Sequence, residues 1–109
     1  MASKFSFLYV TAPNAVEAES IGRTLLEERL AACVNIFPQM KSVYWWEGKL
    51  DSADEAVLIV KTAKELVKAA TERIEKIHPY DCPCAIEIPL GGINKKYETF
   101  LTSELRVSS

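Results

Sequence analysis

The alternation of apolar and polar positions divides the chain into strands and helices with few ambiguous joins. Phe5 to Thr11 is aromatic and β-branched and stops at Ala12-Pro13-Asn14, where proline removes a ladder donor. Asn14 followed three residues later by Glu17 has the form of a capping box. Ala18, Ile21, Leu25 and Leu26 then recur at helical spacing, which predicts a first helix from Ala15 to Arg29. Ala32 to Trp46 is β-rich, interrupted by Pro38-Gln39-Met40, a bulge or kink rather than an end. Glu47-Gly48-Lys49 reads as a short turn and Leu50 to Lys61 as the returning strand, so the two form one long hairpin.

The second half repeats the alternation. Thr62 with Glu65 gives another capping signal, and Leu66, Ala70, Ile74 and Ile77 form an apolar stripe. This second helix should end before Pro79. Tyr80-Asp81-Cys82-Pro83 is a turn-like link, Cys84 to Leu90 a strand, and Asn94 a cap for a last short helix. Tyr97, Phe100, Leu101 and Leu105 share one face of that helix. Val107-Ser108-Ser109 reads as a frayed tail. The order β-α-β-β-α-β-α is an α+β class, a ferredoxin-like split βαβ sandwich with an added C-terminal helix. No linker or repeat divides residues 1–109, so one domain is expected.

The hairpin predicts self-association. Fifteen residues from Ala32 to Trp46 span about 50 Å at roughly 3.3 Å per residue, against a radius of gyration of about 13 Å for a domain of this size. The hairpin should therefore overhang its own body. Tyr44, Trp45 and Trp46 are consecutive and must point to both faces of the ribbon. A two-stranded ribbon is marginal in water, and one with aromatics on both faces invites pairing. Burial against further copies of the chain removes both problems.

Composition narrows the function classes. Hydrophobic residues make up 49% of the 109 residues, enough for a core, and the net charge is −2. That balance gives no electrostatic pull toward nucleic acid or an anionic membrane, and no apolar run approaches the roughly 20 residues of a membrane span. The sequence reads directly into the first strand with no leader pattern, and its three cysteines are odd in number. The expectation is reduced thiols in a cytoplasmic protein. There is no P-loop, Gly-x-Gly-x-x-Gly, His-Glu-x-x-His or Gly-x-Ser-x-Gly, so no enzyme is expected.

The candidate chemistry is soft. His78, the only histidine, lies at the end of the second helix. It is either a ligand for copper or another late divalent metal, or a structural C-terminal residue of that helix. Cys82 and Cys84 can take up Cu(I) with His78 across a subunit boundary. Their one-residue separation points them to opposite faces in an extended segment and does not fit zinc-type spacing. Cys33 reads as a small buried hydrophobe. Trp46, Glu47, Lys61 and Tyr80 are expected to line a ligand cleft between subunits. Glu47 and Lys61 can equally form ordinary ion pairs.

Several runs closely resemble the CutA family. They are Thr11-Ala12-Pro13-Asn14, Leu30-Ala31-Ala32-Cys33-Val34-Asn35, Ser42-Val43-Tyr44-Trp45-Trp46-Glu47-Gly48-Lys49, Lys61-Thr62 and His78-Pro79-Tyr80. The resemblance implies a trimer built through the long hairpins and a cytoplasmic protein tied to tolerance of divalent metals, copper above all. No cofactor is required, and Cu(I), Cu(II) or another divalent cation is the implied partner beyond the chain itself. The PII signalling proteins share the trimer form. A PII-like scaffold binding a small ligand between subunits is therefore the alternative. The copper site proposed for some members uses a thiol before Thr-x-Pro and two consecutive histidines. The matching positions here are Val10, Ile77 and His78, and of these His78 alone is a metal ligand type. Two further departures are Cys84 after Pro83, where the family usually has Glu, and Phe100 after Tyr97, where it usually has Trp.

Overall fold

A strand with partners on both sides organises the molecule: β1, Phe5–Ala12, pairs antiparallel with β3, Lys49–Ala63, and with β4, Ala85–Pro89. The edge strand β2, Cys33–Trp46, pairs with β3, giving the sheet order β2-β3-β1-β4. Three helices complete this ferredoxin-like α+β fold: α1 (Ala15–Glu27), α2 (Val67–Ile77) and α3 (Lys95–Glu104). The structure is a computed structural model describing residues 3–106. The expected tail from Val107 to Ser109 lies outside the described residues.

Side chains alternate across the pleat. One face carries Leu8, Val10, Leu58 and Val60, all fully buried against Ile21 and Leu25 of α1 and Ile74 of α2. Gly22 allows the closest approach: a Cβ there would come within 2.9 Å of Val34 Cγ2. The other face carries Phe7, Tyr9, Phe37, Val57, Ile59, Ile86 and Ile88, as the strand registers require. There, α3 shelters one end, where Lys61 Nζ donates to Tyr97 Oη at 3.1 Å and lies 5.8 Å from the Phe7 ring centroid. The rest is open, with Phe37 57% and Ile86 56% exposed.

The helix ends show which local signals prevailed. Asn14 caps α1 as expected, its Oδ1 accepting from the Glu17 N–H at 2.9 Å. The helix stops two residues before Arg29. Arg29 takes φ 58°, and the Arg29 and Leu30 N–H groups return to the Leu26 and Leu25 carbonyls. This is the Schellman closure, with Leu30 and Leu25 both buried beneath it.

Thr62 does not cap the second helix. It stays in β3 opposite Ser6, fully buried, and its hydroxyl donates to the Leu30 carbonyl at 2.6 Å. A 3-10 turn, Lys64–Leu66, leads into α2 instead, and α2 ends at His78 before Pro79 as expected. Asn94 sits at the N-cap of α3 without a side-chain cap bond. On α3, Leu101 and Leu105 are buried but Phe100 is 41% exposed. The expected four-residue apolar face is thus narrower by one, and Phe100 stacks at its rim on Tyr97.

The hairpin protrudes. The molecule measures 47 × 28 × 22 Å. Near the tip, Trp45 is 72% and Val43 68% exposed on one side of the ribbon, while Trp46 is 52% exposed on the other. Aromatic surface therefore faces outward in both directions, as the sequence pattern predicts.

Candidate functional site

The register shift in the hairpin builds the site. Phe37 pairs with Val57 and Met40 with Glu55, so β2 spends one residue more than β3 across Pro38-Gln39. One extra residue reverses the phase of every side chain beyond it. Met40, Ser42, Tyr44 and Trp46 consequently share the open face with Glu55 and Asp51. The turn at the tip has positive φ at both central residues, Glu47 (49°) and Gly48 (80°), which fits a two-residue type I′ connection.

The segment after α2 meets that face. Tyr80 Oη donates to Glu55 Oε2 at 2.8 Å. Behind it, His78 is buried, with its ring 4.8 Å from the Tyr80 ring. His78 Nε2 lies 2.7 Å from the Thr11 carbonyl oxygen and must donate to it, while Nδ1 accepts from the Tyr80 N–H at 3.1 Å. The two contacts specify the Nε2-protonated tautomer and occupy both nitrogens. As folded, His78 clamps the loop to β1 and offers no free lone pair. A metal would have to displace one of these bonds.

A cavity of about 370 Å³ opens between hairpin and loop, lined by Thr11, Tyr44, Trp46, Asp51, Glu55, Tyr80, Asp81 and Cys82. Two of the expected cleft residues, Trp46 and Tyr80, meet here within one subunit, and Cys82 joins them. The other two are elsewhere. Glu47 sits in the turn at the hairpin tip. Lys61 lies on the open face beside α3, held by Tyr97. Tyr44, Asp51 and Glu55 enter through the phase reversal, which the interruption at Pro38 signals but does not quantify.

Electrostatics set the protonation states. Burial, then the hydrogen bond to Glu55 and its charge, push the Tyr80 phenol well above the ordinary tyrosine range, so it stays a neutral donor. Burial also raises the Cys84 thiol. Hydrogen bonding with Thr11 works the other way, and the Glu55 and Cys82 charges add to the rise. Cys84 therefore holds less thiolate at neutral pH than an open cysteine. All three cysteines are free, Cys82 exposed and Cys84 half-buried. Among the described residues no group of three or more His, Cys, Asp or Glu side chains is placed to hold one metal ion.

The family model described as "CutA1 divalent ion tolerance protein" matches residues 6–104. The chain belongs to the CutA family. It is 48% identical over 85 residues to the divalent-cation tolerance protein CutA of Archaeoglobus fulgidus, covering 78% of this chain and 82% of that one. It is 44% identical over 101 residues to the chloroplastic CutA 1 of rice, covering 93% of this chain but 57% of that longer protein. The crystal structure of rice CutA1 superposes with a TM-score of 0.93 at 41% identity and covers 98% of both chains. The CutA assignment thus rests on sequence and fold over nearly the whole described chain.

Proposed function

We propose that the chain acts in tolerance to divalent cations as a cytoplasmic homotrimer, without enzymatic activity, and that it binds copper weakly. The observation carrying the metal reading is the placement of soft and acidic groups together: Cys82 lines a cavity with Asp51, Glu55 and Asp81, and Cys84 follows two residues later. Weak binding follows from the same geometry. No complete ligand set converges in one chain, Cys84 must lose a proton held by burial, and His78 must surrender a hydrogen bond to take part. The tolerance function printed for the Archaeoglobus relative supports the physiological role. Trimerisation draws support from the uncovered apolar face and the overhanging aromatic ribbon. No helix among the described residues is long and apolar enough to cross a membrane.

Cu(I) titration against a competing chelator tests the metal reading. The Cys82→Ser, Cys84→Ser double variant should weaken binding about tenfold or more, a difference of about 1.4 kcal/mol. Affinity should also rise with pH as the thiols ionise. Binding unchanged by loss of both thiols would remove the proposal.

A second reading has its own support. The aromatic walls of Tyr44, Trp46 and Tyr80 suit a small organic ligand, as in a PII-like binding scaffold, better than a bare ion. Saturable quenching of Trp46 by such a ligand, abolished in Tyr44→Ala, would support it. Quenching unaffected by that change would oppose it.

A further inference from the structure

The charge around the cavity selects a ligand class, and the inference rests on the small-ligand reading just given. Of the eight lining residues, three are carboxylic acids (Asp51, Glu55 and Asp81), three are aromatic, and none is Lys, Arg or His. The acids come from two directions: Asp51 and Glu55 from β3, Asp81 from the loop after His78. They share one cavity, yet they do not gather into a set fit for a metal ion. A bare divalent ion needs its oxygen ligands at about 2.0–2.6 Å, all at once. Acids dispersed round a volume of about 370 Å³ instead match a body with some size and positive charge.

The aromatic residues fit the same kind of ligand. Alkylammonium groups are held by aromatic faces as well as by carboxylates, and their methylene bodies cover apolar ring surface. The Tyr80 hydroxyl is already committed to Glu55, so Tyr80 offers a ring rather than a free donor. That bond also fixes the Glu55 carboxylate between the hairpin and the loop, so the negative side of the site is built before a ligand arrives.

We propose that the Tyr44–Trp46–Tyr80 cavity binds a small organic ammonium ligand, of the linear alkyl diamine class, through Asp51, Glu55 and Asp81. A linear diamine can reach acids on the hairpin and on the loop together, which a single cation of atomic size cannot. The interaction is salt-sensitive, because Asp51 and Asp81 are exposed.

Calorimetry and tryptophan fluorescence on the full chain in its native assembly test this, with the diamine putrescine, the neutral butanediol and the dianion succinate as probes. Putrescine should bind saturably and at least about tenfold tighter than either of the others. Asp51→Asn and Asp81→Asn should each weaken it about threefold, with the assembly unchanged. Cys82→Ser should leave putrescine binding intact, which separates this site from thiol-held copper. Equal binding of butanediol, or putrescine binding indifferent to both acid substitutions, would overturn the proposal. Saturable binding of succinate or butanediol without putrescine would overturn the ammonium class alone and leave the small-ligand reading standing. Failure of every probe would overturn both.

Discussion

Tyr80 gives its phenolic proton to Glu55 across 2.8 Å, joining the loop after α2 to the strand that carries the protruding hairpin. The two residues are 25 apart in sequence, and their bond forms one wall of the cavity. It depends on the extra residue near Pro38, which sets Tyr44 and Trp46 on the side of the sheet where Tyr80 arrives.

Removing that bond should be measurable. Tyr80→Phe leaves Glu55 without its phenol and should cost about 1–2 kcal/mol of stability by denaturant unfolding. Because the fold raises the Tyr80 pKa, the stabilisation it brings is complete below the ordinary tyrosine range near pH 10. It is lost as pH climbs through the raised value. The variant should therefore also lose the last step in the tyrosinate absorbance titration.

Thr62 ties β3 to the end of the α1 connection. Thr62→Val keeps the shape but removes the donor to the Leu30 carbonyl, in a fully buried place. A loss of about 1–3 kcal/mol is expected, with Thr62→Ser retaining most of it. Thermal unfolding of the two variants side by side provides the check.

Acid stability should depend on Glu87. Its carboxyl is held below the ordinary glutamate value, first by the Ser6 hydroxyl and then by Lys64, at 2.6 and 3.0 Å. A depressed folded-state value stabilises the fold above the unfolded pKa, and this is lost as pH falls through the folded one. Ser6→Ala should accordingly flatten the fall in denaturation midpoint below about pH 4.5. An unchanged acid limb would show that the Ser6 bond does not govern it.

Deleting Gln39 tests the phase reversal. With the extra residue gone, Tyr44 and Trp46 should move to the opposite face of the ribbon and the cavity should lose its hairpin wall. The expected readout is loss of any ligand response from tryptophan, with far-UV circular dichroism retained.

Much of this arrangement was legible in the residues themselves. Asn14 and Glu17 marked a helix start that the fold keeps, because nothing nearby competes for the Asn14 side chain. The Thr62 and Glu65 signal has the same form and failed. The Leu30 carbonyl, distant in sequence, claims the hydroxyl, and strand pairing with Ser6 holds the backbone extended. The early end of α1 rests on a positive φ at Arg29, a conformation that arginine does not advertise. Trp46 and Tyr80 were foreseen as cleft residues and do meet. Glu47, although adjacent to Trp46, is taken by the turn, and Lys61 is drawn to the α3 end of the sheet by Tyr97. Asp51 and Glu55 stayed hidden because their side of the ribbon depends on register across the bulge, which is a tertiary property.

Sedimentation of the native chain at submicromolar concentration tests most directly the claim that sister copies cover the aromatic ribbon and the open sheet face. The account predicts a particle of three chain masses, broken down by Phe37→Glu, which places a charge on the exposed face. A stable single chain at that concentration, folded and soluble, would contradict it.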